Sequence, residues 1–238
     1  MSGHNKWSKI KHKKAHTDAK KGKVFTRLIK EITIAAKDGG GDPDHNAKLR
    51  MLLDKAKEAN MPIENTTRAI KKGTGELPGV HYEEHTYEGY GPGGIAIFIE
   101  TLTDNKNRTV ADIRHVLGKH GCHLGETGSV HWMFQHLGSI KAKADDISED
   151  ELLEKLIDFD ITSFDLEDGI FFIHCNLKEL DKVKKAVEKT GLKVTDAELE
   201  WIAESPMALN ESDEKKAVDF LSAIEDIEDV QNVYTNLG

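Results

Sequence analysis

Cysteine is almost absent from this chain of 238 residues: Cys122 and Cys175 are its only two, and they lack CxxC spacing. That excludes a disulfide framework and a cysteine-rich zinc site, and it fits a reducing cytoplasm. Long apolar runs are missing as well. The longest, Ile95 to Ile99, is far below the roughly 20 residues of a spanning helix, and Arg27, Lys30 and Glu31 interrupt the one candidate signal-peptide core. The expectation is a cytoplasmic protein with no membrane contact. Chemical motifs are equally scarce. No G-x-S-x-G, H-E-x-x-H or Walker sequence occurs, and the carboxylates fall in charged helical runs such as Glu149-Asp150-Glu151. His115, His120, Cys122 and His123 are ligand-type residues, but their spacing matches no usual structural zinc pattern, so they read as structural or solvent-facing. The chain reads as a non-enzyme with no cofactor and no metal.

Acidic residues are scarce in one place only. Residues 1–37 hold eleven basic side chains against Asp18 and Glu31, in a chain of net charge -9. Residues 1–72 carry 18 basic and 8 acidic groups, a net +10, so residues 73–238 carry 15 basic and 34 acidic groups, a net -19. A polyanion would be drawn to the first segment and repelled by much of the second. Rings are interleaved with the lysines, as suits a partner with both phosphates and flat bases. The candidate contacts are Lys6, Trp7, Lys9, Lys11, His12, Lys13, Lys14, Lys20, Lys21, Lys23 and Arg27. The expected partners are DNA or RNA, with the ribosome as a further one. The oligomeric state is left open, a monomer being the working expectation.

Residues 1–22 have few large apolar groups, which predicts an arm that orders on binding and a body that folds without it. Trp7 is expected to stand exposed; the competing reading packs its indole on Leu28 or Ile32. From Val24 the spacing Phe25, Leu28, Ile29, Ile32, Ala36 predicts a helix ended by Gly39-Gly40-Gly41. A second helix runs through Leu49, Leu52, Leu53 and Ala56, and a third starts at Pro62 and stops at Gly73. Three such short helices must pack together to be stable. A β-hairpin follows, turning at Gly89–Gly94, then a helix through Val110, Ile113 and Leu117, and a strand at Val130–Phe134. Residues 138–200 read βαββαβ, the ferredoxin-like order, with strands near 139–144, at Ile161, at 170–175 and at 192–199. A last helix (Val218, Leu221, Ile224) and strand (Val230–Tyr234) complete the earlier set if the βαββαβ unit is inserted in it.

The fold expectation is therefore α+β: an N-terminal three-helix bundle followed by two ferredoxin-like α+β domains, one inserted in the other. The boundaries are 1–78 for arm and bundle, 79–136 plus 205–238 for the discontinuous domain, and 137–204 for the insert.

The segments GHNKWSKIKHKKAHTDAKKGKVFTRLIKEI, GGGDP, NMPIENTTRAIKKGTGE, YEGYGPGG, TDNKNRT, GSVHWMF and DVQNVYTN together resemble the YebC family, which includes the mitochondrial translational activator of cytochrome oxidase. The likeness spans the whole chain. It implies a three-helix domain followed by two α+β domains, and a regulator of gene expression: bacterial members are assigned as DNA-binding transcriptional regulators, while others act in translation at the ribosome. Two departures stand out. Thr66 occupies an aliphatic position of the third helix, and Cys122-His123 replaces Gly-Asn.

Overall fold

The structure, a computed structural model, describes residues 7, 19–144 and 147–238. Helix α1 (Ala19–Gly39) packs on α2 (Ala47–Glu58) and α3 (Ile63–Gly73). Their apolar stripes meet in a core that includes Leu28, Ile32, Leu49, Leu52 and Ala69. Asn46 fixes the corner between the first two helices. Its side chain accepts from Leu49 N as the N-cap of α2 and donates to the carbonyls of Ala35 and Gly40. Helix α3 ends at Gly73, where a Cβ would lie 2.3 Å from the Thr33 carbonyl oxygen, so only glycine permits this approach to α1. The hydroxyl of Thr66 bonds back to the Ile63 carbonyl, which lets a polar residue take a buried helical position.

The first sheet has the order β3-β1-β2-β8 and is antiparallel throughout. It is built from β1 (Glu83–Tyr90), β2 (Ala96–Thr103), β3 (His123–Leu124) and β8 (Val230–Thr235). Alternation in β2 splits its side chains between two cores. Ile95, Ile97 and Ile99 join Ile113 and Leu117 of α4 (Lys106–Lys119) and Phe220, Leu221 and Ile224 of α7 (Glu211–Glu225). Ala96 and Phe98 face the other way, toward Val130, Phe134 and Tyr234.

Between β3 and α7 lies the second sheet, order β5-β6-β4-β7, also antiparallel. Its elements run β4 (Phe134–Lys143), α5 (Glu149–Lys155), β5 (Ile161–Glu167), β6 (Ile170–Cys175), α6 (Leu180–Lys189) and β7 (Val194–Ala203), the βαββαβ order. Ser148 and Glu151 form a capping box on α5, and positive φ at Asp168 and Gly169 makes the β5–β6 turn. Because β8 pairs with β2 across this whole insert, the chain leaves the first sheet and returns to it.

Two expectations fail here. Residues 131–133 form a short 3-10 turn rather than a strand, and β4 starts only at Phe134. It then runs unbroken through the residues expected to begin a separate strand, paired with β7 from Phe134–Ala203 to Ala142–Val194. The two sheets are thus joined by one long ribbon whose near end, with Phe134, Trp201 and Ala203, packs on the first sheet.

The second failure is Trp7. Its side chain is 2% exposed and belongs to the core cluster of the first sheet, with Ile95, Ile113, Leu117 and Phe220, rather than to the helix-bundle core of Leu28 and Ile32. Removing an indole from water outweighs the lack of any apolar pattern around it.

The three-helix unit is tied to the first sheet through one buried carboxylate. Asp229, at the entry to β8, receives Lys30 Nζ at 2.8 Å, Arg108 Nη2 at 2.8 Å, Thr109 Oγ1 at 2.8 Å and Thr103 Oγ1 at 3.1 Å. Its backbone carbonyl accepts from Leu102 N. Burial alone would raise this carboxyl, but the donors from Lys30, Arg108 and Thr109 hold it down to about 2.

Two outcomes follow for stability. Trp7→Ala should cost about 3–5 kcal/mol, and a chain starting at Lys23, which lacks the indole, should melt lower too. An unchanged thermal transition in both would take Trp7 out of the core. For Asp229, a folded-state pKa depressed from its ordinary value of 3.8 to about 2 means stability that is full above pH 4 and lost as pH falls toward 2. The loss should be about 2 kcal/mol, and absent from Asp229→Asn when that variant's acid unfolding is compared with the native chain's.

Candidate nucleic-acid interface

A cation meets a phosphate most readily when the fold gives it no carboxylate of its own, and the first unit divides its cations on this point. Those on the inner faces of α1 and α2 are engaged by the acidic sheets. Lys23 Nζ lies 2.8 Å from Asp226 and donates to the Glu225 carbonyl, and Arg27 donates to Asn232 Oδ1 at 3.0 Å. Lys30 is held by Asp229. Lys48 sits 3.7 Å from Glu84, and Lys55 lies 2.6 Å from Glu198 and 3.8 Å from Asp196. Beneath Lys55 the buried Lys141 approaches Asp196 at 3.4 Å and Glu200 at 3.3 Å. Burial drives the Glu200 carboxyl up, opposed by Lys141.

Of the residues expected to touch nucleic acid, Lys23 and Arg27 are therefore brought together, one helical turn apart, at an internal seam. Trp7 is in the core. Lys6, Lys9, Lys11, His12, Lys13 and Lys14 lie outside the described residues, and for Lys20 and Lys21 only the backbone, in the first turns of α1, is described.

Lys37, Arg50 and Lys57 are exposed and have no carboxylate partner among the described residues, and helix α3 gathers three more cations within five residues. Its inner face carries Thr66 and Ala69, while Arg68 and Lys71 are exposed and Lys72 is half-buried. Spacing of three and four residues puts these cations on neighbouring positions of one helix. None of them has a carboxylate partner among the described residues. Lys71 and Lys72 also stand in the last turn, where the helix dipole favours positive charge. The signal for this face was present in the stretch NTTRAIKKG, but the denser lysines upstream overshadowed it.

A groove of about 910 Å³ opens between α1–α2 and β7–α6, lined by Val24, Leu28, Met51, Leu177 and Leu199 together with the Lys55–Glu198 pair. Among the described residues no group of three or more His, Cys, Asp or Glu is placed to hold a metal ion. In the histidine–cysteine run His115 and His123 are exposed, while His120 lies edge-on to Phe220 and the Cys122 thiol donates to the His120 carbonyl, burial pushing its pKa up.

The model of the TACO1/YebC protein N-terminal domain matches residues 5–76, and that of the TACO1/YebC second and third domain matches residues 82–237. A probable transcriptional regulatory protein of Chlorobaculum tepidum is 52% identical over 238 residues, covering 100% of this chain and 95% of the relative. One of Desulfosudis oleivorans is 49% identical over 236 residues, covering 99% and 96%. The crystal structure of a conserved hypothetical protein of Aquifex aeolicus superposes with a TM-score of 0.85 at 42% identity, covering 94% of this chain and 93% of that one.

Replacing Arg68, Lys71 and Lys72 by Ala should flatten the plot of log affinity against log salt for duplex DNA by about three units, since each phosphate contact contributes about 0.9. The melting temperature should stay close to that of the native chain, as for other surface changes. An unchanged slope would take α3 out of the interface.

Proposed function

The chain belongs to the TACO1/YebC family, and from that premise we propose that it is a non-enzymatic regulator of gene expression that works by binding nucleic acid through its first unit. The observation that carries this reading is the division of cations. The fold absorbs the inner cations of α1 and α2 and leaves Arg68, Lys71 and Lys72 of α3 without a carboxylate partner among the described residues, within the same matched N-terminal sequence segment as the lysine-rich residues 6–21. The likeness to probable transcriptional regulatory proteins favours a role in transcription.

A second reading, action on ribosomal RNA in translation, is favoured by what α3 displays. Arg68 and Lys71, with Thr67 and Glu64 beside them, are exposed groups suited to positioning against a phosphate backbone more than to reading base edges. A regulator of this kind would take its target from nucleic-acid shape.

Crosslinking in cells, with recovery of the bound nucleic acid, tests both. Enrichment of defined DNA sites, lost on replacing Lys11, Lys13 and Lys14 by Ala, is the outcome for a transcriptional regulator. Enrichment of ribosomal RNA with the same lysine dependence would select the second reading. Recovery of neither would overturn nucleic-acid binding.

A further inference from the structure

The segment 125–133 is built to hold one ring in water. Glu88 of β1 is buried, and its carboxylate accepts from the backbone N–H groups of Gly128, Val130 and His131, each at 2.8 Å, while its backbone carbonyl accepts from Gly125 N. Burial alone would raise this carboxyl; the three N–H donors bring it below the usual range, as expected of a fixed anion. On either side of the next residue the chain is anchored: the His131 ring stacks on Phe98 and meets Trp201 edge-on, and Met133 packs against the Phe98 cluster. Between them Trp132 is 71% exposed.

Its indole N–H donates to the Ser129 carbonyl at 3.1 Å, and the hydroxyl of Tyr90, 46% exposed, donates to the same oxygen at 3.3 Å. Both rings therefore have their polar ends tied down and turned inward, so what remains for a partner is aromatic face. An indole held rigidly in water forgoes its own burial, and rigid display lowers the entropy cost of binding.

We propose that Trp132 and Tyr90 form a stacking platform for an unpaired nucleobase, a second nucleic-acid contact distinct from α3 and the lysine-rich stretch. It rests on the nucleic-acid reading above. Charge supports this occupant: within residues 73–238 of net -19, residues 105–136 carry Lys106, Arg108, Arg114 and Lys119 against Asp112 and Glu126, with five histidines. Arg108 is taken by Asp104 and Asp229, but Lys106, Arg114 and Lys119 are exposed and have no carboxylate partner among the described residues. The exposed neighbours of Trp132 in the chain, Glu126, Thr127, His131 and Gln135, make a polar rim that suits a base with its phosphate better than an apolar peptide. Stacking on ring faces tolerates any base and requires it to be unstacked from its own helix.

The test titrates the full chain with a single-stranded deoxythymidine oligomer and with a blunt duplex of equal length, reading anisotropy and tryptophan emission. Trp7 and Trp201 are buried or half-buried, so quenching by the single strand, with protection from acrylamide, reports Trp132. Trp132→Ala should weaken the single strand by about 5- to 150-fold and leave the duplex and the melting temperature unchanged, with Trp132→Phe retaining most of the affinity. Equal losses on both strands, no loss on either, or emission that responds to an apolar peptide and not to the oligomer would overturn the platform while leaving the wider reading intact. A native chain that binds neither strand would overturn both.

Discussion

The carboxylate of Asp229 is the constraint on which the arrangement of units depends. Four side-chain donors from two separate stretches of chain, position 30 and positions 103–109, converge on it. Taking it out of water without them would cost several kcal/mol, so the residue is tolerable only where α1, the β2–α4 turn and the start of β8 are already together. The same contacts explain why TDNKNRT begins and ends on a buried threonine while residues 104–108 between them are exposed. Asn105 caps α4, Thr103 and Thr109 hold each other and the carboxylate, and Arg108 covers it from the solvent side.

Once α1 is fixed in this way, the contrast between a basic first unit and an acidic remainder acquires a second meaning. The two attract each other within one molecule. Lys23, Lys30 and Lys55 face Asp226, Asp229 and Glu198, and the seam so formed leaves outward cations on α3. Part of the charge that suggests a polyanion is an internal adhesive, and the proposed nucleic-acid contact draws on the remainder.

The helices and the insert were legible because their signals are local: apolar spacing on α1 and α2, a capping box on α5, an Asp-Gly turn, and alternation on β2 that serves two cores. Trp7 was not legible, since its partners Ile95, Phe220 and their neighbours are far away in sequence and no local period marks them. Nor could local sequence show that Lys23 and Arg27 face inward, since their partners Asp226 and Asn232 come some two hundred residues later. The unbroken run of β4 was hidden by Gly138, which reads as a stop but packs against Cys175 and Leu180, where a Cβ would crowd both. At the candidate interface the exposed cations of α3 were readable by spacing, whereas the display of Trp132 depends on a carboxylate in another strand.

The division of charge between seam and surface is tested most directly by counterion release. Affinity for a fixed duplex should be measured across a range of salt for the native chain and for Lys23→Ala/Arg27→Ala. If these two side chains hold the seam, the slope of log affinity against log salt stays at its native value. A slope flattened by about two units, with an unchanged thermal transition, would place them on the phosphates and contradict the account.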